Sequence, residues 1–157
     1  LYELATHFEL KPLALQDIFE YAKKYLDISF EMCQYLYEKS DGETKMIQQI
    51  LHLLYIQKEK VITKEEIDTV IKEIINSKDS SYKLLFDTLG NNQKIALKIV
   101  GIYKSGVFAS SILTQYNIKK QTLQSSIDTL LKKELIDKED DRYFIPDRTF
   151  ELWVEGL

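Results

Sequence analysis

The sequence predicts a mainly α-helical fold with one small two-stranded hairpin near the end of the chain. Apolar residues recur at intervals of three and four through most of the 157 residues, which is the period of an amphipathic helix. Glycine and proline, which interrupt helices, number only 5 and 2. Residues 135–138 and 143–145 are two short predicted strands separated by a charged turn, as expected for a hairpin.

Four helices are predicted in the first half, over residues 13–26, 29–37, 43–57 and from residue 64 onwards. Ser29 is a suitable N-cap for the second of these helices. The polar residues 76–80 are predicted to end the fourth helix. We therefore place a domain boundary there, which divides the chain into residues 1–79 and residues 80–157.

The fourth helix has the clearest start signal in the chain. Thr63 and Glu66 have the spacing of a capping box, in which each side chain accepts a hydrogen bond from the backbone N–H of the other residue. Ile62 and Ile67 occupy the two positions of a hydrophobic staple around it.

The second half predicts a helix-turn-helix followed by a hairpin. Helices are expected over residues 81–89, 93–104, 109–116 and 120–134, and the last two are joined by a short turn. The hairpin then forms a wing, and Phe150 and Trp153 are expected to cover its open face. Together these elements predict a winged helix, a domain that binds nucleic acid or protein and rarely carries out chemistry.

The predicted helix over residues 120–134 carries the candidate contact residues of this domain. Lysine, glutamine, serine and threonine suit phosphate contacts and base edges. The residues expected to bind DNA or a protein partner are Lys119, Lys120, Gln121, Thr122, Gln124, Ser125, Lys132 and Lys133, with Arg142 on the wing. Asp128 and the carboxylates of residues 139–141 oppose DNA binding, because phosphate contacts dominate affinity.

Charge and composition exclude several functions. The net charge is −4, which argues against a general nucleic-acid coat protein. Residues 1–79 carry 10 basic and 15 acidic side chains, whereas residues 80–157 carry 11 and 10, so a polyanion would contact the second half. The sequence predicts no catalytic site, no metal site and no membrane span. The single cysteine, Cys33, is predicted to be buried in the reducing cytoplasm.

Three segments together resemble the C-terminal region of prokaryotic AAA+/STAND-like P-loop ATPases, the archaeal-type ATPases. Residues 40–48, Ser-Asp-Gly-Glu-Thr-Lys-Met-Ile-Gln, resemble a lid segment of that family, with Asp41 and Thr44 standing where the family usually has Gly and Pro. Residues 61–67 resemble the start of its last lid helix. Residues 130–143 and 150–153 resemble its winged helix and tail.

The resemblance implies that residues 1–79 are a helical lid and residues 80–157 the winged helix of a larger ATPase, of which this chain is a piece that begins without Met. The parent would use ATP and Mg²⁺. The chain itself would be non-catalytic, because its sequence has no phosphate-binding loop and no strand that ends in acidic residues to hold Mg²⁺. Lys45 stands where such lids carry a basic residue, called sensor 2, that reaches the nucleotide phosphates.

The resemblance predicts a regulatory region in which the lid couples the nucleotide state to a winged helix that binds double-stranded DNA or a protein partner. The missing P-loop core would itself be a partner. Two alternatives remain open at this point. One is a self-standing winged-helix transcription regulator that binds DNA, and the other is a protein-interaction module that binds neither DNA nor nucleotide.

Overall fold

The computed structural model describes residues 13–57 and 61–157, and this part of the chain is mainly helical. It contains eight helices and one two-stranded antiparallel sheet, which confirms the predicted fold class. The chain forms two compact units, of which the first ends at Ile71 and the second begins at Lys72. The division predicted at residues 79 and 80 stays a prediction.

The first unit is a helical bundle. It contains α1 (Leu15–Ala22), α2 (Phe30–Lys39), α3 (Thr44–Gln57) and the beginning of α4 (Lys64–Asp87). Ser29 is the N-cap of α2, where its hydroxyl accepts a hydrogen bond from the Met32 N–H at 3.2 Å. Fully buried side chains from three helices form the core of this unit, and they include Cys33, Leu36, Met46, Ile50, Leu54, Ile67 and Val70.

The predicted capping box at the start of α4 is confirmed. The Glu66 carboxylate accepts the Thr63 N–H at 2.6 Å, and the Thr63 hydroxyl accepts the Glu66 N–H at 3.3 Å. The two staple residues, Ile62 and Ile67, are both buried. Two of the unpaired donors at this helix end are therefore satisfied by side chains.

The prediction that residues 76–80 end a helix is wrong, because α4 continues without a break from Lys64 to Asp87. The polar segment contains no glycine or proline, and the Ser77 hydroxyl donates to the Ile74 carbonyl within the helix at 2.7 Å. Beyond this segment, partly buried Tyr82, Leu85 and Phe86 pack against the core of the second unit. Tertiary burial therefore outweighs the weak helix propensity of the asparagine and serines.

The second unit contains a helix-turn-helix and a hairpin in the predicted order. Its further elements are α5 (Asn91–Ile102), α6 (Ser110–Gln115), α7 (Lys120–Lys132), β1 (Asp137–Glu139), β2 (Arg142–Phe144) and α8 (Arg148–Glu155). The strands pair with Lys138 opposite Tyr143 and Glu139 opposite Arg142. The core joins α5 to α7 and to the hairpin, and its most buried members are Ala96, Leu97, Ile99, Leu123, Ile127 and Leu130.

The last helix, α8, packs on the end of α4. The Asp147 carboxylate accepts the Phe150 N–H at 3.0 Å and so caps the start of α8. The described ring contacts of Phe150 and Trp153 are with Tyr82 and with each other, and Trp153 also meets Phe86. Both rings belong to the same buried core as Tyr143 of the wing, and their predicted cover of the wing's open face stays a prediction.

Asp79 on α4 fixes the orientation of the Trp153 indole. The indole N–H donates to the Asp79 carboxylate at 2.9 Å, and Lys83 forms an ion pair with the same side chain at 2.8 Å. These two partners, Lys83 first, hold the pKa of Asp79 below its usual value of 3.8. The second half of α4 is thus tied to α8 within the second unit.

Candidate nucleic-acid interface

A tight turn after α6 directs the chain into α7. Asn117 takes a positive φ of 48°, a conformation that asparagine tolerates better than most residues. Its N–H donates to the Thr114 carbonyl, and the Ile118 N–H donates to the Leu113 carbonyl at 3.0 Å. These two bonds form a Schellman motif, which ends α6 and places the next helix start at Lys120.

One face of α7 is in the core and the opposite face is open to solvent. Leu123, Ile127 and Leu130 are fully buried, and Ser126 is nearly so. The predicted contact residues lie away from this buried face. Those that are exposed are Lys119, Lys120, Gln121, Ser125, Lys132, Lys133 and, on the wing, Arg142, whereas Thr122 and Gln124 are half-buried.

The positive charge of α7 lies at its two ends. Lys119 and Lys120 are at its start, and Lys132 and Lys133 are at its end. The Lys120 ammonium lies 5.9 Å from the centre of the Phe108 ring, which is within the range of a weak cation–π contact.

A hydrogen-bonded pair that includes one carboxylate separates the two ends of α7. The Gln124 amide donates to the Asp128 carboxylate at 2.9 Å. Gln124 therefore has one donor already engaged, and Asp128 is the carboxylate that a polyanion on this face would meet.

The wing is acidic, in agreement with its sequence. Asp137, Glu139, Asp140 and Asp141 are all exposed, and Asp140 turns the hairpin with a positive φ of 52°. Arg142 is opposite Glu139, and its side-chain N–H also donates to a backbone carbonyl, that of Lys104, over a long 3.4 Å. The wing therefore favours a basic partner over a phosphate backbone.

A polar groove lies between α7 and the start of α5, and the sequence did not predict it. It has a volume of about 540 Å³ and is lined by nine residues that are glycine or carry uncharged polar side chains. Asn91 and Asn92 line it from α5, while Gln121, Thr122 and Ser125 line it from α7. Three of the predicted contact residues thus share one groove with two asparagines that are 29 to 34 residues away in the sequence.

A buried charge cluster formed by Lys104, Arg148 and Glu151 was also not predicted from the sequence. Glu151 on α8 is only 4% exposed, and it forms ion pairs with Arg148 and, at 3.3 Å, with Lys104. The Lys104 carbonyl is the acceptor for Arg142 of β2. The spacing of Arg148 and Glu151 is typical of a helix ion pair, but nothing in the sequence shows that Glu151 is buried.

Lys45, the predicted nucleotide contact, lies at the start of α3. It is exposed in the first turn of α3, directly after a turn in which Asp41 and Gly42 take positive φ values of 52° and 70°. A cation at this end of a helix is unfavourable for the helix dipole unless an anion is present. Its predicted contact with nucleotide stays a prediction.

The first unit has an apolar groove of its own between α1 and α3. Its volume is about 820 Å³, and Ile18, Ile47 and Leu51 form part of its buried floor. Tyr21, Tyr25 and Tyr55 line it and are more than half exposed. An exposed apolar surface of this kind is typical of a protein-docking site.

Other kinds of site are not found in the described residues. Within residues 13–57 and 61–157, no three His, Cys, Asp or Glu side chains are grouped so that they could hold a metal ion. Every helix in this same part of the chain is too short or too polar to cross a bilayer.

The comparison with protein families agrees with the second unit's fold. Residues 80–156 match the family model of a probable winged helix domain. This half of the chain is a winged helix. Its α7 is the second helix of the helix-turn-helix, and its hairpin is the wing. No curated protein and no solved structure matches the chain significantly.

Proposed function

We propose that the winged helix binds double-stranded DNA through α7. The observation that carries this proposal is the arrangement of α7, which presents four exposed lysines at its ends and, between them, amide and hydroxyl side chains with one exposed carboxylate, that of Asp128. Lysine contacts to phosphate supply affinity, and amide or hydroxyl contacts to base edges supply selectivity. In helix-turn-helix proteins the second helix enters the major groove, and its first turns meet the bases.

Charge reversal at the start of α7 tests this proposal. We expect the Lys119→Glu/Lys120→Glu variant to bind a random duplex at least about tenfold more weakly than the unchanged chain at low salt. The matched control is Lys72→Glu/Lys78→Glu, which reverses two exposed lysines of α4. Equal losses in the two variants would show that only net charge matters and would overturn the assignment to α7.

We further propose that the chain is the lid and winged-helix region of a cytoplasmic P-loop ATPase. Support comes from the resemblance of residues 40–48 and 61–67 to lid segments and from the exposed position of Lys45 at the start of α3. ATP and Mg²⁺ would bind to a core that precedes these residues, and Lys45 would contact the phosphates when the lid closes.

The coding sequence and nucleotide binding test the ATPase proposal. A phosphate-binding loop encoded ahead of Leu1 in the same reading frame is the expected finding. In that longer protein we expect Lys45→Ala to weaken ATP binding, whereas Lys39→Ala, at an exposed lysine of α2, leaves it unchanged. A reading frame without such a loop would contradict the proposal.

A protein partner is the second candidate, and two observations favour it. The wing carries four exposed carboxylates, and the first unit has an exposed apolar groove lined by tyrosines. A basic protein surface on the wing would satisfy the first feature. Absence of DNA binding at low salt, together with saturable binding to such a protein, would favour this candidate over DNA.

A further inference from the structure

We infer that the DNA contact of this winged helix extends from α7 across the polar groove to Asn91 and Asn92 of α5, and that it does not use the wing. This inference rests on the proposed DNA binding by α7. Asn91 and Asn92 would be a second set of contact residues, and α5 rather than the wing would accompany α7 on the duplex.

The first argument is the shared groove. Asn91 and Asn92 line the same cavity as Gln121, Thr122 and Ser125, three of the residues with which α7 is proposed to contact DNA. A duplex bound over this side of α7 therefore also meets the first turn of α5. The packing of α5 against α7 in the core holds the two helices in this arrangement.

The second argument is hydrogen-bonding capacity. Two other hydroxyls of the groove are already engaged, since Ser126 donates to the Thr122 carbonyl and Thr129 donates to the Ser125 carbonyl. Among the described residues, none forms a hydrogen bond with the side chains of Asn91, Asn92 or Gln121. Asparagine and glutamine amides offer both donors and acceptors, so they match base edges and backbone oxygens alike.

The third argument is charge. No carboxylate lines the groove, whereas the wing has four exposed carboxylates against Lys138 and Arg142. Of the two surfaces that adjoin α7 in the chain or in space, the groove has no carboxylate in its lining and so repels phosphates less than the wing does. This comparison selects the groove as the continuation of the DNA surface.

The test adds negative charge to the groove. In Asn91→Asp/Asn92→Asp the two carboxylates would face the duplex, and we expect binding to a random duplex at low salt to weaken by at least about tenfold. Aspartate in the first turn of a helix is favourable for its dipole, so this variant should fold. The control Ser80→Asp/Ser81→Asp adds the same charge at two exposed positions of α4 and should change affinity by less than about twofold.

Two further variants sharpen the result. Asn91→Ala/Asn92→Ala should weaken binding without changing its salt dependence, because neutral side chains release no counterions. Asp140→Asn/Asp141→Asn on the wing should change affinity by less than about twofold, since the wing is expected to lie off the duplex.

The outcomes separate this inference from the proposed function. If the unchanged chain binds DNA but the groove variant behaves like the Ser80/Ser81 control, α7 keeps its role and the groove contact is wrong. If the unchanged chain does not bind DNA even at low salt, both fail, and a protein partner becomes the preferred occupant of α7.

Discussion

Removal of the Glu151 carboxylate tests whether the buried charge cluster stabilises the winged helix. The side chain of Glu151 is 5% exposed and that of Arg148 is 13% exposed, so the Glu151→Ala change takes away the main partner of a largely buried guanidinium. Breaking one side of a buried pair costs about 3–5 kcal/mol. Because Arg148 also lies 3.4 Å from Glu155, which partly replaces the lost charge, we expect a loss of about 2–4 kcal/mol in the free energy of unfolding.

Trp153 provides the assay. It is the only tryptophan in the chain, is 6% exposed and lies in α8, so its fluorescence reports on unfolding of the winged helix. Urea titration followed at this residue gives the free energy of unfolding. A thermal scan should show the midpoint lowered by roughly 10–25 °C, since each kcal/mol shifts a domain of this size by about 4–8 °C.

Two controls make the outcome decisive. Glu155→Ala removes a carboxylate that is 35% exposed from the same cluster and should change stability by less than about 1 kcal/mol. Replacing both charges, in Arg148→Met/Glu151→Leu, should restore most of the loss, because apolar residues of similar volume often replace a buried pair without penalty. A Glu151→Ala variant no less stable than Glu155→Ala would refute the reasoning.

Three further predictions concern stability. Glu134 follows α7 with a positive φ of 56°, a strained conformation for a residue other than glycine. Glu134→Gly should therefore raise the free energy of unfolding by about 0.5–1 kcal/mol in urea titrations. Unchanged stability would argue against strain at this position. Thr63→Ala removes the capping hydroxyl of α4 and should cost about 1 kcal/mol in urea titrations followed by the helical circular dichroism signal, whereas Thr69→Ala, at an exposed mid-helix position, should not. Burial raises the pKa of the Cys33 thiol from 9.0 to about 11. This thiol should therefore contribute its full share to the free energy of unfolding below pH 9, and that share should be lost between pH 9 and 11, so that the free energy falls more steeply there in the natural chain than in Cys33→Ala. The native thiol should also react slowly with a disulfide reagent at neutral pH.

The local rules that operate within one turn of helix predicted much of the fold. The capping box of Thr63 and Glu66 and the N-cap at Ser29 are present as expected. The helix-turn-helix and the hairpin were also predictable, because their apolar periods and turn residues are local signals.

Features that depend on tertiary contacts were not predictable. The polar residues 76–80 predict the end of a helix, but the burial of Tyr82, Leu85 and Phe86 keeps α4 helical through them. Asp147 is a local N-cap signal for the start of α8. The residues of α4 on which α8 packs are about 70 residues away in the sequence, so this packing has no local signal.

The candidate site was likewise only partly predictable from the sequence. The α7 face follows from helical periodicity, so its lysines and its amide and hydroxyl side chains could be named from the sequence. The groove could not be predicted, because Asn91 and Asn92 line the same cavity as Gln121 only through the packing of α5 on α7. The burial of Glu151 likewise has no signal in the sequence.

The most direct test of DNA binding through α7 is the salt dependence of duplex binding. The logarithm of the association constant, measured by fluorescence anisotropy from about 20 to 200 mM salt, should fall with a slope of roughly −3 to −4 if the four lysines of α7 each meet a phosphate. Changing Lys119 and Lys120 to alanine should make this slope shallower by about 2. No binding at the lowest salt, or the same slope in the natural chain and the variant, would contradict the account and point to a protein partner.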